Sequence, residues 1–183
     1  MIANRRNDMK NLSPDSQFPR LFYALWPDAA TRAALAAWQA PLGGKPVRAD
    51  KLHLTLAFLG QRPAGELPAL QTILAQLPAR PMPLGFDHVS HFPRLALAWA
   101  ALAQPSPALL ALRAACMHSL AEQGLAPRFE HDRFTPHVTL ARQAPPPAAY
   151  ALAPIAWQAS EVVLVESLKS SGDYRIVGRR ELS

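Results

Sequence analysis

A five-residue phrase occurs twice in this chain, as HLTLA at 53–57 and as HVTLA at 137–141. In both copies polar and apolar residues alternate, so an extended strand would place histidine and threonine on one face and the apolar residues on the other. Two such strands are expected to face each other across a cleft. Because one neutral and one protonated imidazole can coexist near neutral pH, the pair suits acid–base chemistry.

The chain as a whole favours a single globular domain. Half of its 183 residues are hydrophobic and 17% are charged, which is enough to bury a core and too apolar for a disordered chain. We expect residues 1–18 to form a flexible tail and residues 19–183 to form one bilobal domain. No apolar run approaches the roughly 18 residues of a membrane span, and residues 1–17 lack the apolar segment of a secretory signal. We therefore expect no membrane partner.

Charge and cysteine usage narrow the class of partner and the compartment. The chain carries 19 Lys and Arg against 13 Asp and Glu, a net charge of +6, which favours a polyanion such as RNA, DNA or a phosphorylated small molecule. Cys116 is the only cysteine, so an intramolecular disulfide and a multi-cysteine metal site are both excluded. We expect a cytoplasmic monomer.

Predicted helices and strands interleave along the chain, and the chain ends in a pair of strands. Apolar periodicity and breaker residues predict helices over 29–40, 65–77 and 107–123. The predicted strands cover 21–26, 52–59, 84–92, 94–102, 137–141, 161–168 and 174–182. This order predicts an α+β fold with antiparallel sheets, helices packed on their outer faces and a cleft between the sheets.

Taken alone, the repeated histidines leave two interpretations open. Their strand faces could line a catalytic cleft, or they could be the solvated sides of two amphipathic strands. His88 and His91 form a second pair, but residues three apart on a strand point to opposite faces, and no cysteine or acidic ligands cluster nearby. We therefore expect no metal site.

The segments HLTLAFLG at 53–60 and FTPHVTLAR at 134–142 resemble the two H-x-T-x motifs of the 2H phosphoesterases. The likeness is narrower still to the RNA 2′,3′-cyclic phosphodiesterase branch, often labelled 2′-5′ RNA ligase. Residues 21–32 and 163–182 are similar to the opening strand and helix and to the closing hairpin of that branch. The resemblance implies two pseudo-symmetric lobes, each of which supplies one motif to a central cleft.

The resemblance also implies an activity that needs no metal or cofactor. The substrate would be RNA or a nucleotide ending in a 2′,3′-cyclic phosphate, which is hydrolysed to a 2′-phosphate, with a reversible 2′-5′ ligation in some members. By position, His53 would be the proton donor to the departing 3′ oxygen, and His137 the proton acceptor that activates water. Thr55 and Thr139 would bind phosphate oxygens.

Two more residues match the branch by position, each five residues after its histidine. Arg142 would clamp the phosphate, and Phe58 would pack against the nucleobase. Strict alternation, however, places both side chains on the face opposite their histidines. The strands must therefore end, twist or bulge first, and we expect this at Ala57 and Ala141.

Two competing hypotheses belong to other functional classes. A non-catalytic RNA-binding module could use the same basic cleft without turnover, with binding that weakens as salt rises. A metal-dependent hydrolase could use His53 and His137 together with His88 and His91.

Overall fold

A computed structural model of the protein describes residues 17–104, 106–127, 134–148 and 152–183. Nearly all of the expected flexible tail, 1–18, lies outside the described residues. The described part contains nine strands: β1 (Arg20–Leu25), β2 (Lys45–Pro46), β3 (Leu54–Gln61), β4 (Met82–Phe92), β5 (Leu97–Leu102), β6 (His137–Arg142), β7 (Ile155–Ala159), β8 (Glu161–Ser167) and β9 (Tyr174–Glu181). Its α-helices are α1 (Ala29–Ala37), α2 (Leu67–Gln76) and α3 (Pro107–Glu122).

The strands form one curled antiparallel sheet in the order β7-β4-β5-β6-β3-β1-β8-β9, with β2 paired to β6. The order divides at the centre into a first lobe (β3, β1, β8, β9) and a second lobe (β6, β5, β4, β7). In the strand register the lobes are joined by one residue pair, Leu54 opposite Val138. This arrangement confirms the predicted α+β fold with two lobes, and the lobes are halves of one continuous sheet.

The helices cover the sheet and form the main core with it. Helix α2 packs on β8 and β9, α3 packs on β3 and α2, and α1 packs on β7. The hydroxyl of buried Tyr23 in β1 donates to the Leu70 carbonyl of α2 at 2.7 Å, which satisfies a polar group inside the core. None of the described helices is long and apolar enough to cross a membrane.

All three predicted helices are confirmed, and two of them begin at a capping side chain. A carboxylate oxygen of Asp28 accepts from the Thr31 N–H at 2.8 Å, and Ser106 Oγ accepts from the Leu109 N–H at 3.1 Å. These bonds satisfy amide groups that have no partner within the first turn of a helix.

Strands β2 and β7 were not predicted. In β7, Ile155, Trp157 and Ala159 are buried and the residues between them are exposed. The same alternation is present in the sequence, but the prolines just before it favoured a loop and the strand was missed. Strand β3 begins at Leu54, so His53 lies just before the strand rather than inside the predicted range 52–59.

Gly44 holds the loop before β2 close to the end of β6. Its φ is +86°, and a Cβ atom there would lie 2.5 Å from the Arg142 carbonyl oxygen and 2.7 Å from that of Gln143. Gly124, after α3, has a similar φ of +67° but nothing within 4 Å of its Cβ position. The two glycines therefore share a backbone conformation and differ in the space around it.

We predict that Gly44→Ala destabilises the protein more than Gly124→Ala. Both variants place a side chain in the left-handed region, at a cost of about 1–2 kcal/mol. Only Gly44→Ala adds an overlap with backbone, which should cost about 1–3 kcal/mol more. Chemical denaturation of the two variants measures the difference, and equal losses of unfolding free energy would contradict the packing at Gly44.

Candidate active site

Both strands that carry the repeated phrase contain a bulge three residues after the histidine. Leu56 has no paired residue in β1, although Thr55 and Ala57 on either side of it do. Leu140 likewise has no paired residue in β5. A bulge inserts one residue and reverses the alternation of faces beyond it. The expected irregularity at Ala57 and Ala141 is thus confirmed, one residue earlier in each strand.

The bulges return the fifth residue after each histidine to the histidine's own face. Phe58 and Arg142 both line a cleft of about 700 Å³. His53, Thr55 and Thr139 line the same cleft, so five of the six predicted site residues meet there. The sixth, His137, is not among the lining residues.

His137 lies beside the cleft, on the strand that carries Thr139 and Arg142. It directly precedes Val138 of the lobe junction, just as His53 directly precedes Leu54. Its charge would act on His53, whose pKa it lowers. The junction therefore brings the two imidazoles together from opposite lobes.

Both histidines are held in the same tautomer by a backbone carbonyl two residues earlier. His53 Nδ1 lies 2.6 Å from the Lys51 carbonyl oxygen, and His137 Nδ1 lies 2.8 Å from that of Thr135. A carbonyl oxygen can only accept, so Nδ1 carries the proton in each ring. Each Nε2 is left to accept or donate the proton of a reaction.

Aromatic rings fix the orientation of the His53 imidazole. Phe22 and Trp26 stack on it with ring centroids at 4.8 and 5.7 Å, and Tyr174 meets it edge-on at 5.5 Å. The sequence alone predicts that Phe22 and Trp26 belong to the core. Their contacts with His53 depend on the approach of β1 to β3, which composition alone does not reveal.

A second aromatic pair surrounds His137. Phe92 and Trp99 stack on each other at 4.8 Å, and both meet the His137 ring edge-on, at 5.3 and 5.5 Å. They come from β4 and β5 of the second lobe. Each lobe therefore packs its own aromatic side chains around its histidine.

Burial lowers the pKa of both imidazoles. The pKa of His53 falls from 6.5 to about 4, mainly through burial and further through the nearby positive groups His137 and Arg142, against the opposing Lys51 carbonyl. Burial also lowers the pKa of His137, and the Thr135 carbonyl opposes that shift. Both rings are therefore neutral at pH 7 in the free protein.

The wall of the cleft is strongly basic. Its lysine and arginine residues are Arg20, Lys45, Arg48, Lys51 and Arg142, and none of the described residues that line it is acidic. Such an excess of fixed positive charge attracts anions and raises their local concentration.

Residues 45–51 run from the second lobe to the first and close one side of the cleft. At one end β2 pairs with β6. At the other end, Arg48 binds Asp173 at 2.7 Å and Lys51 binds it at 3.2 Å, in the turn between β8 and β9. Lys51 Nζ also donates to the Gly172 carbonyl at 2.8 Å.

Gln39, which sequence reasoning missed, supports the bulge in β6. Its side-chain amide donates to the Leu140 carbonyl at 2.8 Å and to the Val47 carbonyl at 2.7 Å. Val47 N–H donates to the same Leu140 carbonyl at 2.8 Å. Gln39 and Leu140 are 101 residues apart in the chain, so no local signal marks the contact with the bulge.

His88 and His91 have separate partners. His88 Nδ1 lies 2.6 Å from an Asp87 carboxylate oxygen at the surface, and His91 Nε2 lies 2.9 Å from the Ala144 carbonyl oxygen. Among the described residues, no three or more His, Cys, Asp or Glu side chains form a group that could hold a metal ion.

Comparison with known proteins gives a consistent set of matches. The model of a family described as the 2′-5′ RNA ligase superfamily matches residues 26–170. Two relatives are named RNA 2′,3′-cyclic phosphodiesterase. The Escherichia coli protein is 34% identical over 143 residues, covering 72% of this chain and 80% of that protein. The Thermus thermophilus protein is 38% identical over 171 residues, covering 84% of each.

Solved structures extend the similarity to the fold. The crystal structure of E. coli LigT complexed with 3′-AMP superposes with a TM-score of 0.75 at 30% sequence identity. The alignment covers 91% of this chain and 99% of that one.

We predict that His53 makes stability depend on pH between about 6.5 and 4. The unfolded chain protonates this histidine near its ordinary pKa of 6.5, whereas the folded protein does so only near 4. Falling pH in this window therefore favours the unfolded state, by about 3 kcal/mol at pH 4.

Urea denaturation at several pH values measures this effect as the difference between wild type and His53→Phe, a variant that keeps a ring between Phe22 and Trp26. His88→Gln, at an exposed site, is the control and should follow wild type. Parallel pH curves for wild type and His53→Phe would show that His53 is not held neutral.

Proposed function

Because this chain belongs to the 2′-5′ RNA ligase superfamily, the 2H phosphoesterases, we propose that its cleft hydrolyses 2′,3′-cyclic phosphate ends of RNA or nucleotides to 2′-phosphates. The observation that carries the proposal is the pair of imidazoles at the lobe junction, each with Nδ1 bound to a carbonyl and Nε2 free for proton transfer. Both relatives with the name RNA 2′,3′-cyclic phosphodiesterase support it.

The reaction needs an acid and a base on opposite sides of phosphorus. Water attacks in line with the bond to the departing 3′ oxygen, so a P–O bond to water forms as the P–O3′ bond breaks. In the proposed assignment, His137 Nε2 takes the proton from water and His53 Nε2 gives a proton to the 3′ oxygen. Histidines that come from two lobes suit this arrangement, since neither strand has to reach around the substrate.

Charge on the phosphoryl oxygens is stabilised by donors from both lobes. Thr55 and Thr139 each present a hydroxyl to the cleft, and Arg142 adds a guanidinium that can bind two oxygens at once. Phe58 offers an apolar ring on the first lobe for the terminal base. The positions of these side chains in one cleft support these roles.

Because the pKa of His53 is low in the free protein, the bound substrate has to raise it before His53 can act as the proton donor. A proton donor must be protonated, yet His53 titrates near pH 4 in the free protein, partly because Arg142 is close. A bound phosphate is an anion that would raise the pKa of the imidazole and offset the charge of Arg142. The donor would thus gain its proton as the substrate binds.

The non-catalytic RNA-binding module is not favoured, since the two named relatives are enzymes. The proposed enzyme is a cytoplasmic monomer that also catalyses reversible 2′-5′ ligation. Residues 19–183 form its single domain.

We predict that His53→Ala and His137→Ala each lower kcat by about 10²- to 10⁴-fold, the usual contribution of a general acid or base. The assay follows formation of the 2′-phosphate from an oligonucleotide with a cyclic phosphate end, in the presence of a chelator. His88→Ala, which alters an exposed histidine, should retain wild-type turnover.

Two results would contradict the proposed function. One is the absence of 2′-phosphate product with wild-type protein, and the other is undiminished turnover after loss of either imidazole. RNA binding that yields no product and survives both substitutions would instead support the binding module. Activity that disappears in chelator would support the metal-dependent alternative.

A further inference from the structure

Lys45 and Arg142 lie directly opposite each other where β2 pairs with β6, and both side chains line the cleft. Like charges in this position destabilise a sheet unless something neutralises them. Among the described residues, neither side chain has an acidic group within ion-pair distance. The positive charges of Lys45 and Arg142 are therefore not neutralised by any acidic side chain among the described residues.

The other cations of the cleft are already engaged. Arg48 and Lys51 form ion pairs with Asp173, and the Arg20 guanidinium lies over the Phe58 ring at 4.8 Å. Among the described lining residues, Lys45, Arg142 and Arg20 thus have no carboxylate partner, and Lys45 and Arg142 are the two that lie side by side.

The backbone on both sides of Lys45 is fixed. Gly44 packs against the carbonyls of Arg142 and Gln143, and Pro46 has its φ set by its ring. The next amide, of Val47, is bonded to the β6 bulge at 2.8 Å. Ordering Lys45 on a ligand would therefore cost only side-chain entropy, because the loop is already in place.

Lys45 is attached to the sheet far from the lobe junction, where the reacting phosphate lies in the proposed reaction. It faces Arg142, five residues beyond His137, which corresponds to a separation of roughly 15 Å along a strand. The charge of Arg142 acts on His53, whose pKa it lowers, whereas Lys45 is not among the groups that shift that pKa. A phosphate bound at Lys45 would be a different one from that between the histidines.

We propose that Lys45 binds a second phosphate of the substrate, the one on the 5′ side of the terminal nucleotide. Lys45 is then a specificity-determining residue, through which the cleft favours an oligonucleotide end over a nucleoside cyclic phosphate. The inference rests on the proposed function, because it takes the terminal phosphate to lie between the histidines.

Binding of two product-like ligands tests the inference without turnover. The ligands are a nucleoside 2′-phosphate and a dinucleotide that ends in a 2′-phosphate, with affinities measured by calorimetry. Wild type should bind the dinucleotide about tenfold more tightly, the effect of one charge-assisted phosphate contact. Lys45→Met should remove this preference and leave the affinity for the nucleoside 2′-phosphate within about twofold.

Two further variants show whether the effect belongs to this position. Lys45→Arg keeps the charge and should restore the preference for the dinucleotide. Lys169→Met alters an exposed lysine outside the lining of the cleft and should leave it unchanged. In wild type, the salt dependence of dinucleotide binding should also be steeper, by about 0.7 in slope, a measurement that needs no variant to fold.

Equal weakening of both ligands in Lys45→Met would overturn the inference, as would equal effects of Lys45→Met and Lys169→Met. Equal wild-type affinities for the two ligands would overturn it as well. Failure of the proposed function is distinguishable, since it appears as absent hydrolysis of cyclic phosphates. Wild-type hydrolysis without a dinucleotide preference would overturn the second-phosphate site alone.

Discussion

The pairing of Leu54 with Val138 is the contact on which the site depends. Both side chains are fully buried, and they form the residue pair that joins β3 to β6. Each directly follows a histidine, so the strand pairing that joins the two lobes in one sheet also brings the imidazoles together. Beyond it the strands diverge and the cleft opens between them. Joining the lobes at one pair thus makes both a continuous sheet and a space for substrate.

Burial and positive charge in this cleft act in the same direction on the pKa of His53, since both lower it. Aromatic packing orients the imidazoles but lowers the pKa of each, and Arg142 lowers that of His53 further. The described residues lining the cleft include no acid that could compensate. A bound phosphate would supply the missing negative charge and raise the pKa of His53, so substrate binding would also prepare the proton donor. Affinity and catalysis then share one electrostatic origin.

Local sequence patterns predicted much of the fold and of the candidate site. Alternation in the repeated phrase identified the face that holds His137 and Thr139, and the need to bring Arg142 onto that face predicted a bulge before it. Features that depend on distant contacts were missed. Gln39 supports the β6 bulge across about a hundred residues, and Asp173 binds Arg48 and Lys51 in the segment beside the cleft. Neither Gln39 nor Asp173 has a local signature in the sequence. Position relative to a motif therefore predicted which residues meet at the cleft, whereas the residues that support them became visible only in the fold.

A crystal structure with a bound nucleoside 2′-phosphate is the most direct test of the central claim, that two imidazoles joined at the lobe junction act as donor and acceptor on one phosphate. The account predicts His53 Nε2 within hydrogen-bond distance of the 3′ oxygen, His137 Nε2 on the opposite side of phosphorus, and both threonine hydroxyls on phosphate oxygens. Both imidazoles on the same side of phosphorus, or a phosphate bound away from them, would contradict it.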